Sequence, residues 1–131
     1  MWIHNTERRD FRASADQEKN LERLSNKLRI TKKTTLFFAF AYALRNNLPR
    51  KKLRNPKGIG QITTIKRERR EIIALTILGK LQPKLSEVPD ADTIMSIYEE
   101  YADAGLSALN KKIDFESEEN YEVLLDTVLQ L

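Results

Sequence analysis

Residues 31–48, TKKTTLFFAFAYALRNNL, contain the longest apolar run of the sequence, which extends from Leu36 to Leu44. Ala and Leu favour the interior of a helix, Thr31 can cap its start, and Pro49 marks its end. A helix that is apolar nearly all round must be covered by protein on several sides. The run is also far too short to span a bilayer. The sequence therefore predicts a central core helix at 31–48, around which other helices pack.

Four further segments have the apolar spacing of amphipathic helices, and Gly and Pro are few. These segments are 15–29, 65–81, 91–112 and 118–130. Gly105 lies inside the third of them, where Gly costs about 1 kcal/mol relative to Ala, so we expect a close helix crossing there. The predicted fold is a single all-α domain, 1–131, of about five helices, with at most one short strand near 61–65.

Residues 1–13 are polar apart from Trp2, Ile3 and Phe11, and we expect them to form a loose arm. A strand over 8–13, which a ribbon-helix-helix repressor would need, is not expected because the segment lacks clean alternation of apolar and polar residues. The N-terminal sequence also lacks the apolar region of a signal peptide or membrane anchor. The expected location is the cytoplasm, without membrane contact.

Charge is distributed unevenly along the sequence. Residues 1–84 contain 21 Lys and Arg against 7 Asp and Glu, a net charge of +14, whereas residues 85–131 contain 2 against 12, a net charge of −10. Such asymmetry indicates either a polyanionic partner for the basic part or charge-complementary packing. The packing could occur within one chain or between subunits.

The residues that most enzymes and metal sites use are scarce. The sequence has no Cys, and its one His, His4, lies in the expected arm. Asp90 and Asp92 form a carboxylate pair, but they stand where the helix at 91–112 needs a cap. The acidic run at 114–119 lacks the Gly of a calcium-binding loop. We therefore expect no enzymatic activity and no catalytic, cofactor or metal site.

Two basic segments follow the central helix, at 50–57 and 66–70, and neither contains an aromatic residue for stacking on bases. Cations in the first turn of a helix oppose its dipole, a cost that a bound anion would offset. If the two segments lie side by side, nine cations form one surface suited to phosphates. The candidate nucleic-acid-binding residues are Arg50, Lys51, Lys52, Arg54, Lys57, Lys66, Arg67, Arg69 and Arg70. The alternative is a solvated face, or a docking surface for the acidic helices.

Three segments, LRITKKTTLFFAFAYALRNNLPRK, ERREIIALTILGK and IMSIYEEYADAGLSAL, resemble a family of small prokaryotic proteins that accompany the Dnd DNA-phosphorothioation (sulfur modification) defence cassettes. Residues 41–46 are similar to the family's A-Y-G-L-(R/K)-N pattern, 68–75 to E-R-x-x-I-x-A-L-A, and 99–105 to E-E-Y-A-x-x-G. Ala43 and Ala104 depart from the family pattern. The resemblance covers about residues 20–112, provides no catalytic residues, and implies a DNA-associated accessory protein.

The function predicted from the sequence is that of a non-enzymatic DNA-binding or DNA-associated accessory protein of a prokaryotic defence or mobile-element system. Its expected partner is DNA, with a homo-oligomer or a protein partner as a further expectation. The alternative is a protein–protein adaptor or oligomerising helical module that uses the complementary charges of its basic and acidic halves.

Overall fold

The computed structural model describes residues 2–81 and 87–113, which fold into four α-helices and a two-stranded antiparallel sheet. In chain order the elements are β1 (Asp10–Ser14), α1 (Glu18–Leu28), α2 (Lys32–Arg45), β2 (Pro56–Gln61), α3 (Arg67–Leu81) and α4 (Ala91–Lys112). Short 3-10 turns occupy Trp2–His4, Ala15–Gln17 and Ile62–Thr64. The helix predicted at 118–130 lies outside the described residues.

A tight turn joins α1 to α2. Arg29 ends α1 in the left-handed backbone region, with φ 57°. The Thr31 hydroxyl then accepts a hydrogen bond from the Thr34 N–H, which confirms the predicted cap of α2. The hydroxyls of Ser25 and Thr35 are 2.9 Å apart and link the two helices inside the core. α1 and α2 therefore form a helical hairpin.

The sheet shows that the all-α prediction was wrong. β1 pairs antiparallel with β2, with Phe11 opposite Gly60 and Ala13 opposite Lys57. Phe11 and Ala13 are buried, so the inner face of β1 does alternate, although Ala13 gives a weak signal in the sequence. The ring of Phe11 lies 3.0 Å from where a Cβ of Gly60 would be, so a glycine permits this close pairing. The predicted strand near 61–65 is instead mostly a 3-10 turn, because β2 ends at Gln61.

Residues 2–14 are packed against the helices and do not form the expected loose arm. Ile3 is buried, and the Trp2 indole donates a hydrogen bond to the Pro89 carbonyl at 2.8 Å. Further along, the Arg8 guanidinium donates to the buried Glu99 carboxylate. The physical reason is that a few buried apolar groups and the ion pairs of Arg8 and Arg12 with Glu99 hold the segment, although most of its residues are polar.

The central element is α4, and the prediction of five helices around 31–48 was wrong. α4 contacts α1, α2, α3, β1 and the 3-10 turns at both ends of the N-terminal segment. By contrast, Phe37 and Leu44 of α2, which an enclosed core helix would bury, remain partly exposed. Gly105 confirms the predicted close crossing, because a Cβ there would lie 2.5 Å from the Ala39 carbonyl carbon of α2. None of the helices described has the length and apolarity needed to cross a membrane.

Candidate nucleic-acid interface

The loop between α2 and β2 brings its cations beside carboxylates of the same chain. The ion pairs are Arg50–Glu100 (3.5 Å), Arg54–Asp16 (2.8 Å) and Lys57–Glu18 (2.8 Å). Hydrogen bonding to the Lys57 ammonium, together with its charge, lowers the pKa of Glu18. All three pairs are largely exposed, and solvent screening makes such pairs weak. Three of the five candidate cations in this segment are therefore compensated, but by weak pairs that a phosphate could replace.

The other two loop cations differ in exposure. Lys51 is partly buried, and its ammonium donates a hydrogen bond to the Ser107 hydroxyl at 3.2 Å. Lys52 is exposed and lines a small cavity of about 160 Å³ together with Arg12, Glu99 and other residues. Because carboxylates also line this cavity, it does not have the uniform positive charge that a phosphate site needs.

The four candidates at the start of α3 do not form one exposed group. Arg70 is buried, and its Nε donates to the Ile65 carbonyl at 3.1 Å. The Arg69 guanidinium lies 4.9 Å from the centre of the Phe37 ring, a cation–π contact that joins α3 to α2. Lys66 and Arg67 are exposed. Arg70 therefore holds the start of α3 in place, and Lys66 and Arg67 are the candidates here that a ligand can reach.

The two basic segments lie at opposite ends of β2. Arg50 to Arg54 precede Pro56 and Lys57 is the second residue of the strand, whereas Lys66 and Arg67 follow the 3-10 turn after Gln61. A six-residue strand spans about 17–20 Å, at about 3.3 Å per residue. The structure thus does not bring the nine candidates together at one point, and it divides them into a compensated loop group and a smaller exposed group.

A groove that the sequence did not reveal lies between the start of α2 and the end of β2. Its volume is about 370 Å³. Its polar lining consists of Thr31, Lys32, Lys33, Gly60, Gln61 and Thr64, and its apolar lining of Phe11 and Ile59. No carboxylate is among these lining residues. The Thr31 hydroxyl donates to the Thr34 hydroxyl, and the Thr64 hydroxyl donates to the Gln61 carbonyl. The donors available to an anion are therefore the two ammonium groups and the Gln61 side-chain amide.

The groove lies next to the exposed cations of α3. The Lys33 ammonium donates to the Thr64 carbonyl at 3.0 Å, so it ties the first turn of α2 to the 3-10 turn before α3. Lys66 and Arg67 follow Thr64 within three residues. The first turn of α2 has no acidic residue, and the positive end of its dipole adds to the charge of Lys32 and Lys33. Lys32 and Lys33 could have been found from the sequence, because they are cations at the start of a predicted helix, as are the cations at 66–70.

Two carboxylates of α4, Glu99 and Asp103, are buried beside the N-terminal part of the chain. Glu99 accepts hydrogen bonds from the Arg8 guanidinium (2.6 Å) and the Arg12 backbone N–H. Burial raises the pKa of Glu99, and Arg8 opposes that shift. Burial also raises the pKa of Asp103, against the opposing effects of Ser14 and nearby cations. Charge-complementary packing therefore occurs within the chain, where the acidic α4 holds the basic N-terminal segment.

The remaining polar candidates have structural partners. The Asp90 carboxylate accepts a hydrogen bond from the Thr93 N–H at 2.8 Å, which confirms its predicted role as the cap of α4. Hydrogen bonds from the Thr93 side chain and from its N–H lower the pKa of Asp90. His4 contacts Glu71 at 3.2 Å. Within 2–81 and 87–113, no group of three or more His, Cys, Asp or Glu side chains is arranged to hold a metal ion.

No protein-family model, curated protein or solved structure matches this chain. The function is therefore inferred from the geometry and charge of the residues themselves.

Proposed function

We propose that the protein is a non-enzymatic DNA-binding accessory protein whose groove between α2 and β2 contacts the phosphate backbone. The observation that carries this proposal is the lining of the groove, which contains Lys32 and Lys33 and no carboxylate. Phosphate contacts from lysines provide affinity without reading sequence, because an ammonium acts as a point charge. The expected binding is therefore electrostatic and independent of DNA sequence.

Lys66 and Arg67 extend the same surface. They follow Thr64, which lines the groove, and both are exposed. Duplex DNA carries one charge per about 1.7 Å of axis, so four cations near one another can meet several phosphates at once. Arg69 and Arg70 do not contact DNA in this proposal. They hold the start of α3 in position, through the Phe37 ring and the Ile65 carbonyl respectively.

The basic loop is a secondary contact in this proposal. Lys52 is exposed, and the ion pairs of Arg54 and Lys57 lie at the surface, where salt weakens them and a phosphate can exchange for the carboxylate. Replacing loop residues should therefore weaken DNA binding less than replacing the groove lysines.

The experiment replaces the two groove lysines, Lys32→Gln and Lys33→Gln, and measures binding of a labelled DNA duplex by fluorescence anisotropy. The matched control is Lys111→Gln with Lys112→Gln, which removes the same charge from two adjacent lysines at the other end of the helical core. We expect the groove variant to bind about tenfold or more weakly at about 50 mM salt, and the control to stay within about twofold of the parent.

Equal losses in the two variants would assign the effect to net charge and remove the groove from the proposal. No binding by the parent protein to duplex or single-stranded DNA would refute DNA binding itself. Circular dichroism of each variant shows whether the helices are intact.

The adaptor alternative has less support. The complementary charges that it would use between subunits are already joined in part within one chain, as in Arg8–Glu99 and Arg50–Glu100. A discrete oligomer in light scattering, together with no affinity for DNA, would favour it.

The association with phosphorothioation cassettes is proposed from the sequence resemblance alone, as is an origin in a prokaryotic defence or mobile-element system. Identifying the genes that flank the gene for this protein would test the association. A DNA-binding protein of this kind would act in the cytoplasm.

A further inference from the structure

One face of α3 is apolar and uncovered. Ile72 and Leu75, three residues apart, are 53% and 59% exposed. Thr76 and Gly79 continue the same face at helical spacing, and both are exposed. Nothing described in the structure lies within 4 Å of where a Cβ of Gly79 would be. This stripe, Ile72–Leu75–Gly79, is open to a second element that approaches the helix closely.

We infer that this face of α3 is the docking site of the chain's own residues 121–130. Their sequence repeats apolar residues at helical spacing, and these residues are Tyr121, Leu124, Leu125, Val128 and Leu129. An amphipathic segment of this kind needs an apolar surface to cover its stripe, and the exposed stripe of α3 supplies one.

Charge favours the same pairing. Residues 114–131 contain six Asp and Glu and no Lys or Arg. Around the stripe, the exposed charged residues of α3 are Lys80 at its C-terminal end and Arg67 and Glu68 at its start. A segment that begins beside the C-terminal end of α3 would place its first carboxylates near the Lys80 ammonium.

The segment is long enough to reach α3. The Lys112 ammonium lies 5.4 Å from the centre of the Tyr42 ring of α2, and the Lys80 ammonium of α3 donates to Asn47 just beyond α2. The C-terminal ends of α4 and α3 therefore both lie beside the second half of α2. The seven residues 114–120 can span about 23 Å when extended, which exceeds the separation of about 8–10 Å between packed helix axes.

The test is disulfide trapping in the full chain, which has no native Cys to interfere. Leu75→Cys is combined in turn with Leu124→Cys, Leu125→Cys and Val128→Cys, because a bond needs a Cα separation of about 4.4–6.8 Å and the register is not fixed in advance. The matched control is Leu75→Cys with Thr127→Cys, which is adjacent in sequence but lies away from the apolar stripe. At least one stripe position should oxidise about tenfold faster than the control, with the mass of a monomer.

Two results would overturn the inference. Equal rates at all four positions would show that the segment does not dock by its apolar stripe. Covalent dimers, formed instead of cross-linked monomers, would assign the face of α3 to a second copy.

A second measurement does not depend on cysteine geometry. Leu75→Gln and Leu125→Gln are compared singly and together by thermal unfolding. If the two side chains are in contact, each single change should lower the Tm, and the double change should lower it by clearly less than the sum. Additive shifts, or no shift for Leu75→Gln, would contradict the docking. Neither result depends on DNA binding, so this inference and the proposed function fail separately.

Discussion

Replacing Gly105 by Ala tests the packing of α2 on α4 at its closest point. The added Cβ would lie 2.5 Å from the carbonyl carbon and 3.0 Å from the Cα of Ala39. Both atoms belong to the backbone of α2, so no side chain can rotate to make room. Because carbon atoms in contact are separated by about 3.5–4.0 Å, the two helices would have to move apart by about 1 Å.

The change in the free energy of unfolding follows from two opposing effects of the substitution. Ala is favoured over Gly inside a helix by about 1 kcal/mol. Against this, overpacking a core costs about 1–3 kcal/mol or more, and separating helices by about 1 Å removes a quarter to a half of the dispersion energy between the facing atoms. The crossing includes Ala39 and Leu106, both fully buried. We expect Gly105→Ala to lower the free energy of unfolding by about 1–2 kcal/mol, and the Tm by about 5–10 °C.

Urea unfolding followed by circular dichroism measures this change. The control is Glu22→Ala at an exposed position of α1, where the effect should stay within about 1 kcal/mol of the parent. If Gly105→Ala is as stable as the parent protein or more so, α2 and α4 do not cross at this point, and the packing described for them is incorrect.

Three further predictions concern the buried charges and the helix caps. Arg8→Met leaves the Glu99 carboxylate short of a partner and should lower the free energy of unfolding by about 3 kcal/mol at neutral pH, with a smaller loss as the pH falls and Glu99 takes up a proton. In the parent protein burial raises the pKa of Glu99 and of Asp103, so their contribution to stability is lost as the pH rises, whereas the lowered pKa values of Glu18 and Asp90 act in the opposite direction. Glu99→Gln should therefore make the dependence of stability on pH less negative in denaturant unfolding, and an unchanged dependence would contradict the assignment to Glu99. Thr31→Ala removes the cap of α2 and should cost about 1 kcal/mol by urea unfolding, whereas Thr31→Ser should cost little.

Local patterns in the sequence were sufficient to predict where the described helices lie. Capping residues and apolar spacing predicted helices at the positions of α1 to α4, and the prediction for α4 matches Ala91–Lys112. The penalty of an internal Gly correctly indicated a close crossing at Gly105. These features can be recognised in the sequence because each depends on residues within a few positions of one another.

Features that depend on distant residues were not predictable in the same way. β2 has the sequence PKGIGQ, which has low strand propensity and forms a strand because it pairs with β1 around Phe11. Glu99 and Asp103 resembled solvated charges of a helix surface, and only the packing of the N-terminal segment on α4 buries them. The groove likewise joins residues of α2 and β2 that are far apart in sequence.

The salt dependence of DNA binding tests the central claim most directly. The affinity of the unmodified protein for a DNA duplex should fall linearly with salt on logarithmic axes between about 50 and 200 mM. Four phosphate contacts, from Lys32, Lys33, Lys66 and Arg67, predict a slope of about −3 to −4, at about 0.9 per contact. Absence of binding at about 50 mM salt, or an affinity that does not change with salt, would contradict an electrostatic DNA-binding surface.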